Sequence, residues 1–130
     1  LKNPLSIMAV KINAEYEDSN KMIQVLVSVI EFQEDGVYFV YSPTLDITGY
    51  GNTRKEAAKS YSETLEEFVR YTAVKGTVYK ELKRLGWKVK NKKNIKAPTM
   101  ADLVKTRNYL NEIFTEKQFS KRDEMLAIPA

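Results

Sequence analysis

A chain of 130 residues, 43% apolar and 29% charged, is long enough for one cored domain and too short for two ordinary ones. It has no cysteine and no histidine, which excludes disulfides, thiolate zinc sites and Ser–His or Cys–His catalysis and removes the commonest general base. The net charge is +4, and no run approaches the roughly 20 apolar residues of a membrane-crossing helix.

Residues 1–6 lack the basic-then-apolar order of a signal peptide, so the expected location is cytoplasmic with no membrane partner, and Met8 is a candidate natural start. Residues 10–16 alternate, with Val10, Ile12, Ala14 and Tyr16 on one side and Lys11, Asn13 and Glu15 on the other. Period two predicts a strand with one buried face. Glu17-Asp18-Ser19-Asn20 is turn chemistry. Residues 23–32 are apolar on both faces, Ile23, Val25, Val27 and Val29 against Leu26, Ile30 and Phe32, the pattern of a central strand. Asp35-Gly36 is a favoured hairpin pair because both positions must reach positive φ, and residues 37–41 pair back as a third strand. Ser42-Pro43-Thr44 breaks it, and residues 47–50 form a short strand ending at Gly51-Asn52.

Thr53 and Glu56 form a capping box, in which the hydroxyl and the carboxylate satisfy open amides at a helix start. Ala57, Ala58, Tyr61, Leu65, Phe68, Val69 and Thr72 then fall on one stripe of a helix, closed by Lys75-Gly76. Thr77 begins a shorter helix with Leu82 and Leu85 inward, ended by Gly86, and residues 87–89 suit one more strand. Between Lys80 and Lys96 eight basic residues stand against one acid, a local charge of about +7. Residues 90–98 read as a basic linker closed by Ala97-Pro98. Thr99 caps a last helix, from Met100 to about Phe114, with Leu103, Leu110, Ile113 and Phe114 inward. The tail, residues 125–129, reads as a short strand or an extended strap.

Strands grouped before helices predict a single α+β domain. Its sheet has three to four mainly antiparallel strands, with a long helix packed across it. The core covers residues 8–89, the basic linker 90–98, and the C-terminal helix and tail 99–130.

One ordered set of residues carries a family resemblance. It runs through the hairpin around Asp35-Gly36, then Pro43-x-Leu45, then Gly49-Tyr50-Gly51-Asn52-Thr53 and the helix opener Thr53-Arg54-Lys55-Glu56-Ala57. From about residue 25 to 71 this resembles the HicB family of bacterial antitoxins. The resemblance implies a truncated ribonuclease H-like fold. It also implies a non-catalytic antitoxin that binds and occludes a small ribonuclease toxin of the HicA type, often as an oligomer. Many members end in a ribbon–helix–helix or helix-turn-helix, where this chain offers one helix and an apolar tail. Nucleases of the related fold need several carboxylates around two metal ions. Glu31 and Asp46 are the only acids at sheet positions here, so no catalytic, metal or cofactor residue is assigned.

Asp35, Gly36, Pro43, Leu45, Gly49, Gly51, Thr53 and Glu56 carry the motif, and their physical content is backbone geometry. Gly49-x-Gly51 before a helix lacks the third glycine or the Lys-Ser/Thr of a phosphate cradle. Lys83, Arg84, Lys88, Lys90, Lys92, Lys93 and Lys96 form the candidate nucleic-acid surface, since clustered lysines neutralise phosphates. Trp87 beside them either plugs the core or stacks on an unpaired base. A HicA-type toxin is commonly basic, so this patch does not suit it. Tyr38 is a candidate exposed interface aromatic. The tail suits strand exchange between subunits and hence a homo-oligomer.

Overall fold

A computed structural model describes residues 22–91 and 94–129; the strand expected at 10–16 and its turn lie outside them. The central element is β1 (Met22–Glu34), followed by β2 (Val37–Ser42) and β3 (Ile47–Gly51). Helices α1 (Arg54–Lys75) and α2 (Val78–Arg84) come next, then the paired strands β4 (Lys88–Asn91) and β5 (Asn94–Lys96). Two short helices, α3 (Met100–Thr106) and α4 (Asn108–Glu116), lead into β6 (Phe119–Pro129).

The main sheet has the order β3-β2-β1-β6, and every neighbouring pair is antiparallel. β1 pairs with β2 from Ile30↔Tyr41 to Glu34↔Val37, and with β6 from Met22↔Pro129 to Phe32↔Phe119. Its apolar residues on both faces call for cover on both faces, and they have it except at Leu26, which is exposed. Val25, Val27 and Val29 meet Ala57, Tyr61, Leu65 and Val69 of α1, together with Leu126 and Ile128 of β6. Ile30 and Phe32, on the opposite face, meet Tyr41 and the α3–α4 residues Leu103, Leu110 and Ile113. Each fully buried aliphatic side chain contributes about 1.5–3 kcal/mol, so neither layer is dispensable. The fold is α+β, a four-stranded antiparallel sheet with a long helix across one face and further helices on the other.

α1 begins where the sequence places it. Thr53 Oγ1 accepts from Glu56 N at 3.1 Å, as the capping box requires, while Glu56 Oε2 accepts from Asn52 N, one residue before the cap, at 3.0 Å. It ends at Gly76, φ 67°, whose amide reaches back to Ala73 and Thr72 carbonyls.

Three expectations change. Residues 90–98 are no linker among the described positions: β4 and β5 form a hairpin because Val89 and Ile95 pair across it and pack on the α1-side core. The single C-terminal helix is two, interrupted at Arg107 (φ −113°, ψ 90°). There the guanidinium donates to the carbonyls of Pro43 and Leu85 at 3.3 and 3.1 Å, so this residue ties the helical layer to both preceding turns. The tail is an eleven-residue strand that begins at Phe119. Its polar run Ser120 to Glu124 hides the alternation, because Arg122 and Glu124 face α1 while Lys121 and Asp123 face the other way. No described helix is long and apolar enough to cross a membrane.

Candidate interaction surfaces

The motif residues build a scaffold. Asp35 and Gly36 sit at φ 52° and 79°, the positive pair that a tight two-residue hairpin requires. Pro43 and Leu45 are buried in the turn between β2 and β3. A Cβ on Gly49 would lie 2.1 Å from the backbone nitrogen of Tyr61, and one on Gly51 would lie 2.5 Å from Glu56 Cβ. β3 therefore runs directly against the backbone of α1, and the space a phosphate cradle would need is filled by the helix. Thr53 and Glu56 are spent on the cap. Each of these eight residues shapes the platform.

Trp87 belongs to the same scaffold. It is 4% exposed, and its indole Nε1 donates to the Thr44 carbonyl at 2.8 Å. A ring held this way cannot stack on a base, so of its two readings the core plug is the one observed. Tyr38, expected at the surface, is half-buried and packs on the α1-side core, because its cross-strand partner is Gly51 and β2 is covered there by the helix.

Two surfaces remain at opposite ends of β2. Around the β1–β2 turn lies a groove of about 830 Å³, walled by the hairpin, the start of α1 and the α4–β6 junction. Four carboxylates line it, Glu31, Glu34, Asp35 and Glu116, against the cations Arg54 and Lys117. Their positions are fixed by distant parts of the chain. Lys117 Nζ lies 3.2 Å from Glu34 Oε1, and the Tyr109 hydroxyl donates to Glu34 Oε2 at 3.0 Å. The Lys117 and then the Tyr109 hydrogen bonds hold the Glu34 carboxyl below its ordinary pKa. Burial, followed by that same bond to Glu34, pushes the Tyr109 phenol up to about 12. Arg122 bridges Glu31 and Glu124, and Arg54 lies 3.7 Å from Glu31. Phe119 borders the groove, its ring 4.9 Å from that of Phe114.

At the other end, beyond the β2–β3 turn, α2 and the β4–β5 hairpin carry the basic residues. With Val89 and Ile95 turned inward, the cross-strand pair Lys88↔Lys96 faces solvent, and Lys90 is exposed beside it. Lys83 and Arg84 are exposed at the end of α2, where Arg84 Nε meets Glu81 at 2.8 Å. Lys92 and Lys93 lie outside the described residues. The structure thus brings five of the seven sequence-predicted cations to one end of the molecule.

Glu31 and Asp46 do not meet. Glu31 is on the α1 face with Arg122, whereas Asp46, at φ 55°, accepts from the Tyr41 hydroxyl at 3.0 Å on the opposite face and lies 3.8 Å from Arg107. Among the described residues no three His, Cys, Asp or Glu side chains cluster as metal ligands would. Sequence reasoning missed the acidic groove, because Glu116 and Lys117 reach it only through the α4–β6 return. No family model, curated protein or solved structure matches this chain.

Proposed function

We propose that the chain is a non-catalytic binding protein of the antitoxin kind, which occludes a small basic ribonuclease as the HicB resemblance implies. The observation that carries this reading is the groove at the hairpin end, where four carboxylates stand against two cations. A basic partner suits that surface, and its complementary charge would speed encounter and fix orientation. The basic hairpin lies at the far end, so it does not oppose such docking. Mechanistically the reading is steric: the partner's catalytic face is covered by the hairpin, Arg54 and the α4–β6 junction, and no bond is made or broken by this chain.

The test is tagged purification from the native host with mass spectrometry. A small basic protein is expected with the wild type, absent with Glu34→Lys/Asp35→Lys and retained with Lys90→Gln/Lys96→Gln. Retention on the charge-reversed groove would overturn the assignment. A second reading, nucleic-acid binding, is favoured by the outward-facing Lys88, Lys90 and Lys96 of the preformed hairpin. It predicts binding that weakens steeply with salt, with a flatter slope after Lys90→Gln/Lys96→Gln. No mobility shift of duplex or single strands at low salt would end it.

A further inference from the structure

β6 is the last strand in the order β3-β2-β1-β6, and among the described residues no strand pairs with its outer edge. The opposite edge, β3, is five residues long and locked against α1 by its glycines. β6 runs for eleven residues, and an edge of that length presents a row of backbone donors and acceptors that template another strand. What occupies it is written in its side chains.

On the face shared with Ile30 and Phe32, β6 carries Phe119, Lys121, Asp123 and Met125 in that order. Phe119 is 41% and Met125 49% exposed, and Lys121 and Asp123 are exposed between them. Apolar, cation, anion, apolar is a sequence that complements itself when the strand is reversed. We propose that β6 pairs antiparallel with β6 of a second copy of this chain, about a twofold axis at Arg122, joining the two sheets into one.

In that register Phe119 lies opposite Met125 of the second copy and Lys121 opposite its Asp123, each pair occurring twice as an isologous contact demands. Directly opposed side chains are the ones that stabilise an antiparallel pair. Lys121 already lies 3.2 Å from its own Asp123, so the four groups form a ring of alternating charge. Leu26, opposite Met125 on β1 and 56% exposed, extends the apolar strip. On the other face the two Arg122 residues meet at the axis, each held by Glu31 and Glu124 of its own chain. Competing registers are worse. Sliding by two residues sets Lys121 against Met125 in one direction and Phe119 against Asp123 in the other, and sliding by one turns unlike faces to each other. The inference does not depend on the antitoxin reading.

Sedimentation equilibrium of the full chain tests it. The wild type dimerises, while Lys121→Asp alone and Asp123→Lys alone place like charges opposite each other and raise the dimer dissociation constant at least about tenfold. An equimolar mixture of the two variants dimerises again, because one copy then presents two anions to two cations of the other. A monomeric wild type, single variants that dimerise as well as wild type, or a mixture that stays monomeric would each overturn the proposal. The chain has no cysteine, so a second measurement is available if a charge variant fails to fold. A mixture of Lys121→Cys and Asp123→Cys proteins should oxidise to the mixed disulfide in preference to either homodimer, and equal yields of all three would count against this register.

Discussion

The two ends of the sheet are held together by different means. At the corner end, around the β2–β3 turn, the contacts are buried and geometric: Trp87 on the Thr44 carbonyl and Arg107 on the Pro43 and Leu85 carbonyls. At the hairpin end the contacts are ionic and only partly buried, with Glu34 between Lys117 and Tyr109. Buried packing carries stability, whereas partly exposed ion pairs contribute less and can be altered cheaply. The corner end therefore keeps the fold, and the hairpin end can change with less loss of stability.

The largest loss of stability is expected from Trp87→Ala. Removing a buried indole should cost about 3–5 kcal/mol, a large part of the 5–15 kcal/mol typical of a domain, read by urea denaturation. Gly49→Ala comes next, because the new Cβ meets the backbone of Tyr61 and the helix must lift off β3, at about 1–3 kcal/mol or more. Gly36→Ala is its control: nothing lies within 4 Å, and the remaining cost is the positive φ, about 1 kcal/mol. If Gly49→Ala proved as mild as Gly36→Ala, the tight β3–α1 contact would be wrong.

Smaller effects sharpen the other side. Tyr109 ionises near 10.0 when unfolded and near 12 in the fold, so its contribution is intact below pH 10 and lost as pH rises between 10 and 12. Tyr109→Phe should flatten that part of the stability profile. Glu34 runs the opposite way: its lowered pKa gives a contribution present above 4.5 and lost as pH falls through the folded value. Glu34→Gln should remove that acid-side slope together with the contribution that the carboxylate makes at neutral pH. The least effect is expected from Lys90→Gln/Lys96→Gln, exposed substitutions within about 0.5 kcal/mol of wild type.

Local chemistry made much of the fold legible. The two-faced apolar pattern of β1, the Asp35-Gly36 turn, the Thr53–Glu56 cap and the inward residues of the C-terminal helices all stand where periodicity and capping rules put them. What escaped notice depends on long-range pairing. The strand character of residues 119–124 appears only when Arg122 finds Glu31, ninety-one residues away, and the basic segment becomes a hairpin only because Val89 and Ile95 have a core to sit on. The acidic groove was illegible for the same reason. Its cations come from α1 and the α4–β6 junction, and no spacing in the sequence connects them to Glu34.

The proposed role of this chain is to offer a surface and perform no reaction. The test is an RNA-cleavage assay on the small basic protein expected to copurify with this chain. The wild-type chain should leave RNA intact by itself and suppress the partner's cleavage at stoichiometric amounts, and Glu34→Lys/Asp35→Lys should fail to suppress it. Cleavage by the chain alone, or a partner whose activity is untouched by the wild type, would contradict it.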